Sequence, residues 1–312
     1  MRLLYVCTDP GIPVDGHKGA AVHVRELCRA LANLGHDVRL AAARLDGGDS
    51  PPPVPTTRLA LAPGARHRIA RLAARGDDPA ARAALTARGA ARAVAAGAGL
   101  VGDGWRPDAV YERHALFGGG GLALARRLGV PHLLEINAPL VDEQARHRRL
   151  AWPRAAEAAE RAALRDADAV LVVSGPLARW AVDRGAAPER VHTVPNGVDV
   201  ARFAMAEALR APTRARLGWG DDAVVVGFVG SLRPWHGTAS LLRAFAAVAA
   251  DDARARLLVV GDGPERGALE AQAAALGLGE RVRFTGAVAH HRVPALLAAL
   301  DVAVAPYDAP DC

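Results

Sequence analysis

The stretch VVVGFVGSLRPWHG, Val224 to Gly237, decides the fold. Its valines and phenylalanine form a short apolar run of the kind buried on both faces of a parallel sheet. Gly230 and Ser231 break that run, and from residue 239 onward ASLLRAFAAVA supplies apolar residues at helical spacing. Ser231, Arg233, Trp235 and His236 therefore lie along a turn at the carboxyl end of a strand. Open α/β sheets bind their ligands in the crevice there, and the N-terminus of the following helix favours anions. The turn Gly261-Asp262-Gly263-Pro264 follows a second such strand. Together the two turns point to a phosphate-bearing ligand.

Working outward, short apolar runs alternate with longer Ala/Leu/Arg segments of helical period, the pattern of βαβ units on a parallel sheet. Strands are expected at residues 3–7, 38–42, 109–112, 132–136, 169–173 and 191–194, with helices near 20–34, 80–96, 122–128, 154–165 and 176–184. Gly35-His36 reads as a C-terminal cap of the first helix. The pattern pauses through 203–220. It restarts with strands at 224–229, 256–260, 282–285 and 302–305 and helices near 239–249, 265–276 and 293–299. The fold class is α/β, with two Rossmann-like, doubly wound parallel-sheet domains facing a cleft. The boundary falls near residue 205, giving domains 1–205 and 206–312. The second domain has fewer strands than the first and reads as incomplete.

A chain of 312 residues is comfortable for two such domains, and at 51% hydrophobic it has ample material for two cores. The net charge is +6, yet Lys18 is the only lysine, so the excess of arginine reads as coding bias. No RNP-like aromatic motif, zinc-finger spacing or Lys/Arg block accompanies it, which excludes a nucleic-acid partner. Cys7, Cys28 and Cys312 are scattered and odd in number, arguing against a disulfide framework or a structural zinc site. The opening run at 3–7 is too short for a secretory signal, and no later run is long enough to span a bilayer. A cytoplasmic protein is expected. The Arg-bearing faces at 66–75 and 82–92 read as solvated surfaces, with peripheral membrane contact as the minority alternative.

Further candidates sit at other strand ends. The first βα turn, TDPGIPVDGHKGAA at 8–21, is either a ligand cradle, with His17 and Lys18 ahead of a helix N-terminus, or a surface loop whose glycines serve turns. It lacks the GxGxxG of dinucleotide sites. Arg113 and His114 follow one strand, with Gly118 to Gly121 beyond them, and Glu135 and Asn137 end the next. Each of these, taken singly, is more often a satisfied structural group than a catalyst. Asn196-Gly197 reads as a tight turn, Asp262 as a cap for a helix begun by Pro264, and Asp301 as structural. No HExxH, EF-hand or Walker A motif is present, which excludes P-loop phosphoryl transfer.

Taken in order, GHKGAAVHVRELCRALANLGHDV, YERHALFGGGG, LEINAPLVDEQ, VLVVSGPLARW, VHTVPNGVDVARF, FVGSLRPWHG, VVGDGPERGALE, VRFTGAV and DVAVAPY give a chain that resembles the family 4 glycosyltransferases of the GT-B fold. That resemblance implies transfer of a sugar from a nucleotide diphosphate-sugar to an acceptor hydroxyl, with retention at the anomeric carbon. It implies no metal and no cofactor beyond the sugar nucleotide as co-substrate. The partners are then the nucleotide-sugar donor and a glycan or glycolipid acceptor. The family's usual Arg and Lys in the turn after the first strand of the second domain correspond here to Ser231 and His236. Arg233 is left to meet the diphosphate, with Gly237 at the helix start. The glycine-rich first loop corresponds to Gly19 and Ala20, and the active-site position to Arg113 or His114. Asn137 stands where relatives often carry His, and Asn196, Gly261, Asp262 and Gly263 would line the donor cleft. Family members continue beyond a DVAVAPY-like strand into a helix with two glutamates that bind the donor, which this sequence lacks. The chain is therefore expected to be truncated. The alternatives are a catalytically inactive protein that binds nucleotide or acceptor weakly and, less favoured for want of a carboxylate set, a GT-B-like epimerase.

Overall fold

The computed structural model of the chain describes residues 1–307 apart from 49, 62, 63, 66, 68, 70, 72–77, 98 and 103. The chain divides into two compact units, Met1–Gly197 and Val198–Cys312.

The first unit is built on seven parallel strands: β1 (Arg2–Cys7), β2 (Asp37–Ala42), β3 (Thr56–Arg58), β4 (Ala109–Arg113), β5 (His132–Ile136), β6 (Ala169–Val172) and β7 (Val191–Thr193). They lie in the order β3-β2-β1-β4-β5-β6-β7. The order reverses between β1 and β4, and a doubly wound sheet opens its ligand crevice at such a point. Among the described residues its helices are α1 (Gly19–Asn33), α2 (Pro79–Ala96), α3 (Gly120–Leu128), α4 (Leu140–His147), α5 (Pro153–Asp166) and α6 (Gly175–Asp183). Helix α1 lays Ala21, Val24 and Cys28 on Leu3, Tyr5, Cys7 and Leu40 of one sheet face. It ends where the sequence indicates. Gly35 takes φ of 85°, its N–H reaches Ala32 O at 2.9 Å, and the His36 N–H reaches Leu31 O at 3.2 Å. That is a Schellman cap, available at low cost because glycine bears no Cβ. The opposite sheet face packs Leu4, Val6 and Val110 against Val94 and Leu124 of α2 and α3.

The second unit has α7 (Val200–Ala204), α8 (Arg210–Leu217), β8 (Val224–Val229), α9 (Thr238–Asp251), β9 (Ala255–Val260), α10 (Arg266–Ala275), β10 (Val282–Phe284), α11 (Val293–Ala298) and β11 (Val302–Ala303). Its four parallel strands run β10-β9-β8-β11, so the order reverses between β8 and β11. Phe228, Leu257 and Val259 meet Leu242 and Phe245 of α9 on one face, while Val225, Leu258 and Val260 meet Leu296 on the other. Both faces of the sheet are covered, as the unbroken apolar runs require.

Several elements escape the sequence pattern, each for a visible reason. β3 is a three-residue edge strand paired only with β2. α4 buries Val141 alone, so it carries no apolar stripe. α8 turns the polar residues Thr213 and Arg214 inward. The Arg214 guanidinium is 2% exposed and donates to Ala299 O, Asp221 O, Ala223 O and Asp301 Oδ2, the last at 2.6 Å. Asp301 also accepts the Val225 N–H at 2.7 Å and pairs with Arg210, which makes it a structural clip between α8, β8 and the start of β11. Asn196-Gly197 makes no tight turn. Residues 194–199 run as irregular, exposed chain, and neither Asn196 nor Gly197 has positive φ. The division at 197/198 precedes the expected 205, because α7 and the 3₁₀ turn Met205–Leu209 pack with α11 of the second unit. Among the described residues no helix is long and apolar enough to cross a membrane.

Candidate active site

In the second unit the turn after β8 brings Ser231, Arg233, His236 and Gly237 together at the carboxyl end of the sheet, beside the point of strand-order reversal. A 3₁₀ turn over Pro234–His236 delivers the chain to Gly237, whose φ of 66° starts α9. Ser231 is exposed, and Arg233 and His236 are half-buried. His236 is fixed from several sides. Its Nδ1 meets the Ser231 carbonyl, and Tyr307, just past β11, stacks edge-on at 5.0 Å between ring centroids. The Arg233 guanidinium lies 5.9 Å from the Trp235 ring centroid, a cation–π arrangement. No side chain caps α9, its first turn holds no acid, and Thr238 Oγ1 is fully buried with no partner among the described residues. A buried hydroxyl without a partner is costly. Here it stands at a helix N-terminus, where partial positive charge favours an anion.

The turn after β9 is locked to that after β8. Leu232 N–H donates to Asp262 O at 3.0 Å, and Glu265 N–H donates to Leu232 O at 3.3 Å. At Gly261, with φ of 136°, a Cβ would stand 1.8 Å from Gly230 O, and at Gly263 a Cβ would stand 2.2 Å from Leu232 O. These two glycines thus serve chain-to-chain contact. Asp262 accepts the Gly263 N–H at 2.8 Å and faces Arg266 at 3.4 Å. The helix it precedes begins at Arg266, two residues later than Pro264 indicates.

In the first unit the loop after β1 is a built structure. The Asp15 carboxylate, 4% exposed, accepts the N–H groups of Asp46, Gly47 and Gly48 at 2.7 to 3.0 Å. Buried Arg25 donates to Val14 O and Gly16 O, and Lys18 Nζ donates to Gly11 O. Gly19 begins α1, exposed and with open space around its Cα, and Ala20 is half-buried beside it.

Arg113 and His114 point to opposite faces of the sheet, as adjacent strand residues must. Arg113 turns to the α1 face and donates to Glu135 Oε1 at 2.8 Å, while Asn137 Nδ2 donates to the same oxygen. His114 turns away, 3.3 Å from Glu160, which Arg184 also holds at 2.9 Å. So Arg113 and Asn137 share one site, and His114 belongs to a separate buried pair. The centre of the shared site is Glu135, 3% exposed, which also receives the Tyr5 hydroxyl at 2.8 Å and faces His23 Nε2 at 2.7 Å. Burial pushes its carboxyl pKa up, but His23, Arg113 and Tyr5 outweigh that and hold it at about 2. Strand register makes this cluster: Tyr5 pairs with Tyr111, and Arg113 with Glu135.

The glycine run 118–121 closes around one of the protein's own side chains. Glu112, 1% exposed, sits there, accepting the Gly119 and Leu122 N–H groups at 3.0 and 3.2 Å and facing His132 Nε2 at 3.0 Å. A Cβ on Gly121 would stand 2.7 Å from Glu112 Oε2. Burial raises the Glu112 pKa, but His132 and the N–H groups at the start of α3 bring it below the ordinary value.

Among the described residues no group of His, Cys, Asp or Glu could hold a metal ion. Of the Arg-bearing faces, Arg82, Arg88 and Arg92 are exposed on α2, and Arg88 lies over the Trp152 ring at 5.8 Å. Residues 66, 68, 70 and 72–75 of the other face lie outside the described residues.

The family model described as Glycosyltransferase Family 4 matches residues 17–202, and that described as Glycosyl transferases group 1 matches 223–310. The chain is 32% identical over 191 residues to the 2-deoxystreptamine glucosyltransferase of Streptomyces kanamyceticus, a match that covers 60% of this chain and 49% of that protein. It is 30% identical to the D-inositol 3-phosphate glycosyltransferase of Acidothermus cellulolyticus, over 98% of this chain and 69% of that one. For the first three such relatives the match spans only 49%, 36% and 44% of their own length. Among solved structures, Anabaena HepE in complex with UDP superposes with a TM-score of 0.70 at 20% identity, over the whole of this chain and 75% of that one. Sucrose-phosphate synthase from Thermosynechococcus elongatus gives 0.67 at 24% identity, over 98% and 75%. The chain therefore belongs to glycosyltransferase family 4, and its two Rossmann-like units are those of the GT-B fold.

Proposed function

We propose that the protein transfers a sugar from a nucleotide diphosphate-sugar to an acceptor hydroxyl, with retention at the anomeric carbon and without a metal ion. The observation that carries this reading is the turn after β8. It offers the Arg233 cation, the polar groups of Ser231 and His236, an uncapped helix N-terminus and the unpartnered Thr238 hydroxyl at one end of the sheet. Departure of a diphosphate calls for cations and N–H donors fixed in advance around it, because they then stabilise the charge without reorganising. Uridine nucleotides are the first probes to use, since the Anabaena neighbour was solved with UDP and with UDP-glucose. The acceptor is a glycan or glycolipid hydroxyl met by the first unit. Calorimetry with UDP is the test. Arg233→Ala is expected to weaken binding about 10- to 100-fold, the worth of one or two hydrogen bonds to a charged group. Binding to the parent chain should be the same in EDTA. Equal affinity of R233A and parent would remove Arg233 from the site, and binding lost in EDTA would contradict the metal-free reading.

A further inference from the structure

Glu135 and His23 together form an arrangement that neither the diphosphate site nor the core accounts for. His23 is the fifth residue of α1, at the carboxyl edge of the sheet beside the reversal point. Its Nε2 is buried 2.7 Å from Glu135 Oε1, an ion-pair distance without hydrogen-bond alignment, while the side chain as a whole is 21% exposed. A carboxylate that is ionised at neutral pH can only accept hydrogen bonds, so the imidazole nitrogen facing it must carry the proton. In the neutral ring the proton is then absent from Nδ1, which is left as an acceptor. Among the described residues nothing hydrogen-bonds Nδ1. Glu135 cannot swing away, because Tyr5, Arg113 and Asn137 hold its two oxygens from β1, β4 and the end of β5.

We propose that His23 presents Nδ1 to a hydroxyl of the sugar or polyol that accepts the transferred group, with Glu135 as the residue that fixes the ring and its tautomer. That this ligand is the acceptor rests on the glycosyltransferase reading; the His23–Glu135 geometry does not. The hydroxyl donates to Nδ1 while the Nε2 proton stays on the ring facing the buried carboxylate, so the ring orients an O–H without itself changing charge.

The test is histidine side-chain ¹⁵N NMR on the 312-residue chain at neutral pH, with His23→Gln to assign the signals. The expected result is a His23 ring protonated at Nε2, whose Nδ1 resonance moves on adding one of a panel: glucose, myo-inositol, D-inositol 3-phosphate or 2-deoxystreptamine. Glu135→Gln, which offers His23 a donor as well as an acceptor, should mix the tautomers and weaken that sugar about tenfold. A ring protonated at Nδ1 in the parent chain overturns the proposal. So does an Nδ1 signal unmoved by every member of the panel, or unchanged sugar affinity in E135Q. If E135Q does not fold, the parent tautomer and the loss of sugar binding in H23Q decide the matter. UDP in the same sample separates the two readings. A His236 resonance indifferent to UDP counts against the donor site and leaves this inference untouched.

Discussion

Gly261→Ala is expected to destabilise the second unit by about 4 kcal/mol, the sum of a backbone held at unfavourable φ and an overpacked contact. The φ of 136° suits only glycine, and the added methyl would stand 1.8 Å from a carbonyl oxygen that belongs to the neighbouring turn. Backbone cannot yield as a side-chain tip can, so the two turns must separate. The hydrogen bonds from Gly230 N–H to Val260 O and from Leu232 N–H to Asp262 O would go with them. UDP affinity should fall too, because the turn that carries Arg233 and His236 takes its shape from this contact. Gly267→Ala is the control. It lies in the first turn of α10 with nothing within 4 Å and should leave stability unchanged or raise it by up to about 1 kcal/mol, the interior value for alanine over glycine. Urea unfolding with amide exchange at β8 and β9 measures both. Equal midpoints for G261A and the parent would mean that the turns are not interlocked.

The second large effect lies in the first unit. Glu112→Ala should cost about 3–5 kcal/mol, since it strips the Gly119 and Leu122 N–H groups and the His132 ring of a buried partner at once. Glu112→Gln, which keeps one acceptor oxygen in place, should recover part of that loss. The same carboxylates govern acid stability. Glu112 and Glu135 both have folded pKa values below their unfolded ones, so their contribution is fully present above the unfolded value of about 4.3. It drains away as the pH falls through the folded values, to about 2 for Glu135. Thermal melts at successive pH values should show the first unit weakening from about pH 5 downward, and E112A should weaken less steeply than the parent. Parallel curves for the two would show that folding does not lower the Glu112 pKa.

Much of the architecture is legible because each central strand is an unbroken apolar run bounded by glycine. The run at 224–229 and its turn place Ser231, Arg233, His236 and Gly237 without help from coordinates. The Gly35 cap is equally plain. The Glu135 cluster is not, because it depends on which residues of β1, β4 and β5 stand opposite one another, and register has no local signature. Tyr5 and His23 read as core-facing residues of a strand and a helix until the sheet brings Glu135 between them. A glimpse of His23 was available in its place one turn inside α1, on the same side as buried Val24. The run Gly118 to Gly121 does not announce its use, since glycines that admit a ligand and glycines that admit the protein's own carboxylate are identical in sequence. Arg214 hides α8 for a similar reason: a charged residue facing inward removes the apolar period that would reveal the helix.

Asp15 has a consequence for how this surface can be altered. By taking the N–H groups of residues 46–48, it joins the loop after β1 to the loop after β2, and Val14 N–H to Arg44 O adds a second tie. The two loops thus form one mechanical piece resting on two strands. Replacing either loop alone with one that lacks its half of this tie would leave a carboxylate or three amides stranded, so an exchange must carry residues 9–18 and 44–48 as a single cassette.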